Sequence, residues 1–74
     1  MDFNIDIDKI KNYIYSNNLT KAKFCKLSKL SISTLNRIFN GQNFKTIALF
    51  KIAKTMGIQV HQLFLNNNHK KVFN

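Results

Sequence analysis

Apolar residues recur at intervals of three and four along most of this chain, the spacing that places side chains on one face of a helix. Residues 20–58 read TKAKFCKLSKLSISTLNRIFNGQNFKTIALFKIAKTMGI. Here the periodic positions are Phe24, Leu27 and Leu30, then Leu35 and Ile38, then Ile47, Phe50, Ala53 and Met56. Each set predicts a buried helix face. Between the first two runs, Leu30 and Ser31 leave room only for a short turn, so the two helices must cross steeply and the second projects from the surface. An earlier stripe of Ile10, Tyr13 and Ile14 predicts a first helix over about residues 8–17, and a last short one is expected over about 60–65, laying Leu63 and Phe64 on the core. Alternation at Phe3, Ile5 and Ile7 is too short to predict a strand.

Punctuation agrees with this reading. Asp6 or Asp8 is placed to cap the first helix, Thr20 the second and Ser31 the third, because a short oxygen-bearing side chain accepts from the free amides of the first turn. Asn17-Asn18 is a natural stop, since asparagine tolerates the left-handed conformation. The fourth helix is expected to begin after Asn43 and close at Gly57. With no proline and two glycines, an all-α fold with few breaks follows. Seventy-four residues suffice for one domain. The expected organisation is an acidic N-terminal segment (1–7), a helical domain (8–65) and a mobile basic tail (66–74).

Charge narrows the partner. The formal net charge is +9, and all three acids, Asp2, Asp6 and Asp8, lie in the first eight residues; the twelve Lys and Arg follow. That imbalance makes a field that attracts polyanions, and a projecting helix on such a chain points to DNA. No run approaches the ~20 apolar residues of a membrane span, and no signal peptide is visible, so a cytoplasmic protein is expected. Cys25, the single cysteine, fits a reducing compartment and a small packing residue. His61 and His69 have no cysteine or carboxylate at ligand spacing, so neither metal nor cofactor is expected. Nor is catalysis: no carboxylate after residue eight can serve as acid or base.

The matching pieces of a known pattern are Leu19-Thr20, Leu30-Ser31, Ser33-Thr34-Leu35, Arg37-Ile38 and Asn40-Gly41, then Leu49-Phe50-Lys51-Ile52-Ala53-Lys54, Met56-Gly57-Ile58 and Leu63-Phe64. Over residues 10–65 the chain resembles the DNA-binding domain of the phage repressor and Cro-like (XRE) family. The resemblance implies a compact five-helix bundle of the lambda-repressor-like type, with a recognition helix over about 31–40 lying in the major groove. That helix would present Ile32, Ser33, Asn36 and Arg37 to the bases. Arg37 has two readings of equal weight, bidentate contact with guanine or a phosphate grip. Ile32 is either a thymine-methyl contact or a surface isoleucine. Phosphate contacts are expected from Thr20 and Lys21 at the start of helix two, from Asn40, Gln42 and Lys45 on the other side, and from Ser31, while Lys51 and Lys54 read as solvated.

Three departures from the family pattern carry consequences. Lys29 stands where glycine is usual in the turn, at a cost on the order of 1 kcal/mol if that position needs positive φ. Lys21 replaces a glutamine, exchanging a directional group for a point charge. Ile14 and Phe39 replace an arginine–glutamate pair, which implies an apolar contact and an unfolded or badly destabilised Phe39→Glu variant. The function implied is a sequence-specific regulator of transcription, a repressor binding double-stranded DNA as a homodimer on a pseudopalindromic operator. Leu65, Val72 and Phe73 are candidate dimer contacts, with Leu65 alternatively completing the core. The alternatives are an antitoxin that binds its operator and a toxin, or an adaptor on the same fold. A toxin or an antirepressor is the protein partner such a domain would take.

Overall fold

The computed structural model describes residues 4–65. Four α-helices follow one another, α1 (Ile7–Ser16), α2 (Lys21–Ser28), α3 (Ile32–Phe39) and α4 (Thr46–Met56), and a 3₁₀ turn (Val60–Leu63) closes the bundle. The all-α class holds. The fifth helix does not form as an α-helix: after four residues the chain turns extended at Phe64, which pairs antiparallel with Ile5. Asp6 N–H donates to the Leu63 carbonyl and Leu65 N–H to that of Asn4, both at 2.7 Å. The short apolar alternation near the start thus supplies one β-bridge rather than a strand. Val72 and Phe73 lie outside the described residues, and Leu65 is half-exposed rather than part of the core.

Local chemistry fixes where each helix starts. Asp6 accepts from Lys9 N–H at 3.2 Å, Thr20 from Lys23 N–H at 3.0 Å and Ser31 from Thr34 N–H at 3.1 Å. α4 begins at Thr46, two residues later than a start directly after Asn43. Its N-cap is Lys45, which makes no side-chain capping bond, so the sequence carries no signal for that start.

All four helices end in the same way. Asn18, Lys29, Gly41 and Gly57 take left-handed φ of 55°, 60°, 72° and 72°. The next residue then donates its N–H five positions back: Leu19 to Ile14, Leu30 to Cys25, Gln42 to Arg37 and Ile58 to Ala53. This is the Schellman stop, which satisfies carbonyls the helix leaves open. Leu19, Leu30 and Ile58 also pack on the core, so three of these stops carry an apolar contact.

The core comprises Ile10 and Ile14 of α1, Phe24 and Cys25 of α2, Leu35 and Ile38 of α3, and Ala48, Leu49, Ile52 and Ala53 of α4, with Leu63. Tyr13 closes its rim, donating its hydroxyl to the Thr55 carbonyl at 3.2 Å while its ring meets Phe24 edge-on at 5.9 Å. Two predicted faces are corrected. Leu27 is exposed, and α2 buries Phe24, Cys25 and Ser28 instead. Ile47 and Phe50 stand more than half exposed, and α4 turns the adjoining stripe inward. α4 is apolar on two faces; the one bearing two alanines lets its backbone approach α2 and the 3₁₀ turn.

Candidate nucleic-acid interface

The interface is built from α3. Leu35 and Ile38 point inward, as expected, which turns Ser33 and Arg37 outward as exposed residues. Ile32 is exposed as well, while Asn36 is half-buried at the edge of the same face. All four candidate readers therefore belong to one helix and to its solvent side or margin.

A groove runs along each flank of α3. The first is bounded by α1 and α2 and lined by Lys11, Lys21, Asn36, Phe39 and Asn40. In it the Lys21 ammonium donates to Asn36 Oδ1 at 2.9 Å. The half-buried Phe39 ring draws two cations, Lys11 Nζ at 5.3 Å from its centre and Lys21 Nζ at 5.8 Å. Ile14 lines the same groove, on the side where an apolar contact with Phe39 is expected. The two ammonium groups change the forecast for a carboxylate at position 39. A glutamate there would meet two cations instead of an unpaired burial, so the expectation that Phe39→Glu unfolds the domain is withdrawn.

On the other flank, between α3 and the start of α4, Lys29, Arg37, Lys45 and Lys51 line one groove with Ser31, Thr34 and Asn43. Lys51 is half-buried and donates to the Lys29 carbonyl at 3.3 Å, so it is not the simple solvated residue its surroundings in the sequence suggest. Its partner lies twenty-two residues away, which no local pattern reveals. Lys11 was missed for a similar reason, since only the packing of α1 against α3 brings it over Phe39.

The remaining candidates divide by what their hydroxyls and amides already do. Thr20 Oγ1 accepts from Lys23 N–H and keeps its own hydrogen for an external acceptor. Ser31 accepts from Thr34 N–H and donates to Thr34 Oγ1 at 3.0 Å, so its hydroxyl is committed within the turn. Asn40 and Gln42 are exposed in the link after α3, and their backbone amides close the helix. Lys45 is exposed at the start of α4, whose positive dipole end carries no side-chain cap. Cys25 lies beneath this surface. Burial pushes its thiol up from the ordinary value, the nearby Lys21 charge opposes that, and the thiol rests 3.8 Å from the Ser31 carbonyl.

An α2–α3 pair joined by a three-residue turn through a left-handed Lys29, with cationic grooves on both sides of α3, is the arrangement of a DNA-reading motif. A family model described as Helix-turn-helix matches residues 10–63, most of the chain. The chain belongs to the Cro/repressor-like (XRE) helix-turn-helix family. Comparison with curated proteins and with solved structures gave no match. Helix-turn-helix domains of this family are DNA-binding domains of transcription regulators, not enzymes. Among the described residues of this helix-turn-helix protein, no helix is long and apolar enough to cross a membrane.

Proposed function

We propose that this helix-turn-helix protein is a cytoplasmic, sequence-specific repressor that binds a pseudopalindromic DNA operator as a homodimer. α3 lies in the major groove, with Ile32, Ser33, Asn36 and Arg37 toward the base edges. The observation that carries this reading is the pair of grooves beside α3, which bring Lys11 and Lys21 to one flank and Lys29, Arg37, Lys45 and Lys51 to the other. Two rows of cations on either side of a projecting helix suit the two phosphate backbones that border a major groove. Thr20, Lys21, Ser31, Asn40, Gln42 and Lys45 fall at the helix ends beside those rows. Ser31 contributes there by shaping the turn, since its hydroxyl is already committed.

Selection of bound duplexes from a random library at physiological salt tests the reading. An enriched palindrome with half-sites about one helical turn apart supports a dimeric specific regulator. Loss of all binding as salt rises, with no enriched sequence, overturns it. Arg37→Ala separates the two roles of that side chain. A loss of ~1–3 kcal/mol confined to one base position marks a reader, and equal weakening on every duplex marks a phosphate contact.

A further inference from the structure

Lys21 and Asn36 form one unit, and that unit has a chemical preference of its own. A free asparagine side chain offers a base edge both an acceptor and donors, which suits adenine, whose N7 accepts while its N6 donates. Here the Asn36 carbonyl oxygen already accepts from the Lys21 ammonium at 2.9 Å. The Lys21 ammonium also lies 5.8 Å from the centre of the Phe39 ring, a second attraction that favours the same placement. Asn36 is also half-buried at the margin of the outward face, which limits the rotations by which its oxygen could turn away. The bond takes one of that oxygen's two lone pairs and sets a positive charge beside the other, which opposes a further donor such as adenine N6–H₂ and leaves the amide N–H₂ as the better group for a base to meet.

We propose that Lys21 is a positioning residue that biases Asn36 towards reading as a donor, favouring guanine, with its two acceptors O6 and N7, over adenine. The inference rests on the reading of α3 as the groove-facing helix. Lys21 keeps a third N–H for a phosphate oxygen, so positioning and a backbone contact are compatible. The assignment differs from a phosphate grip in one respect: it makes Lys21 govern which base is chosen, not only how tightly DNA is held.

The test starts from the duplex enriched by the wild-type protein. Asn36→Ala identifies the base pair it reads, as the one position whose preference relaxes. Four duplexes differing only at that pair are then titrated with wild type and with Lys21→Met, whose unchanged helical circular dichroism confirms folding. Wild type is expected to prefer guanine over adenine there by about tenfold or more, and Lys21→Met, with the Asn36 oxygen released, to lose or invert that preference. A Lys21→Met protein that weakens equally on all four duplexes, preference intact, overturns the inference and leaves Lys21 a phosphate contact. A wild-type preference for adenine overturns it as well, and so does an Asn36→Ala variant that relaxes no position. In all three cases the regulator reading stands. Failure of the wild-type protein to enrich any sequence instead removes both together.

Discussion

Lys29 holds its backbone at φ 60° and ψ 42°, the left-handed geometry in which a Cβ crowds the following carbonyl. Asn18, Gly41 and Gly57 take the same shape at the ends of the other helices with residues better suited to it. Lys29→Gly is therefore expected to stabilise the domain by up to ~1 kcal/mol, the relieved strain less the extra freedom glycine gives the unfolded chain. A rise in the urea midpoint checks this, and an unchanged or lower midpoint contradicts it. Cys25 sets a pH dependence. Its thiol is buried and its pKa raised, so above the ordinary thiol value the unfolded chain ionises while the folded one stays protonated. Its stabilising contribution is complete below that value and is lost as pH rises towards the folded pKa. Between about pH 7 and pH 10 the melting temperature of wild type should fall further than that of Cys25→Ala. Equal slopes would show that the thiol does not govern alkaline stability.

α4 is the element where pattern and packing diverge. Its sequence, TIALFKIAKTM, is apolar at Ile47 and Phe50 and again at Ala48, Leu49, Ile52 and Ala53, so two stripes share one helical period. Only the second is buried. Ile52→Ala is expected to cost ~2–5 kcal/mol, from lost transfer energy and the cavity left behind. Ile47→Ser and Phe50→Ser should stay within about 0.5 kcal/mol of wild type. Chemical denaturation of the three variants measures both, and a large loss at Phe50 would mean that the exposed stripe is covered. The contrast shows what the sequence could reveal. Thr20, Ser31 and Gly57 mark helix ends by chemistry within a few residues, and those ends were legible. The fold class and the outward set of α3 were legible too, because Leu35 and Ile38 fix the orientation of so short a helix. The start of α4 was not, since Lys45 caps without a side-chain bond. The inner face of α4, the Lys21–Asn36 bond and the place of Lys51 beside Lys29 depend on elements meeting in space, which no window along the chain contains.

At the scale of the whole molecule, charge and fold pull against each other. Asp6 and Asp8 are the only carboxylate side chains among the described residues, both at the start of α1, while the cations spread over every helix. Repulsion among them weakens the compact state, and salt screens it within about 8–10 Å at ordinary ionic strength. The same screening removes the gain from counterion release when DNA binds. Raising salt from about 50 mM to about 200 mM should therefore increase the melting temperature of the free protein while lowering DNA affinity, with a log–log slope of about −0.9 for each phosphate neutralised. Parallel thermal melts and anisotropy titrations would check it, and a melting temperature that falls with added salt would show that net repulsion does not limit the fold. The β-bridge between Ile5 and Phe64 has a consequence of a different kind. Because Asn4 and Leu65 are joined by a backbone hydrogen bond, the first and last described residues sit side by side. A short linker could join them without displacing any helix, and the chain could be reopened at the exposed Asn17-Asn18 turn. The result would be a circular permutant whose α3 is held as before. Segments attached at residues 4 and 65 would likewise leave the domain together, so the domain could be inserted into a host protein through one point of attachment.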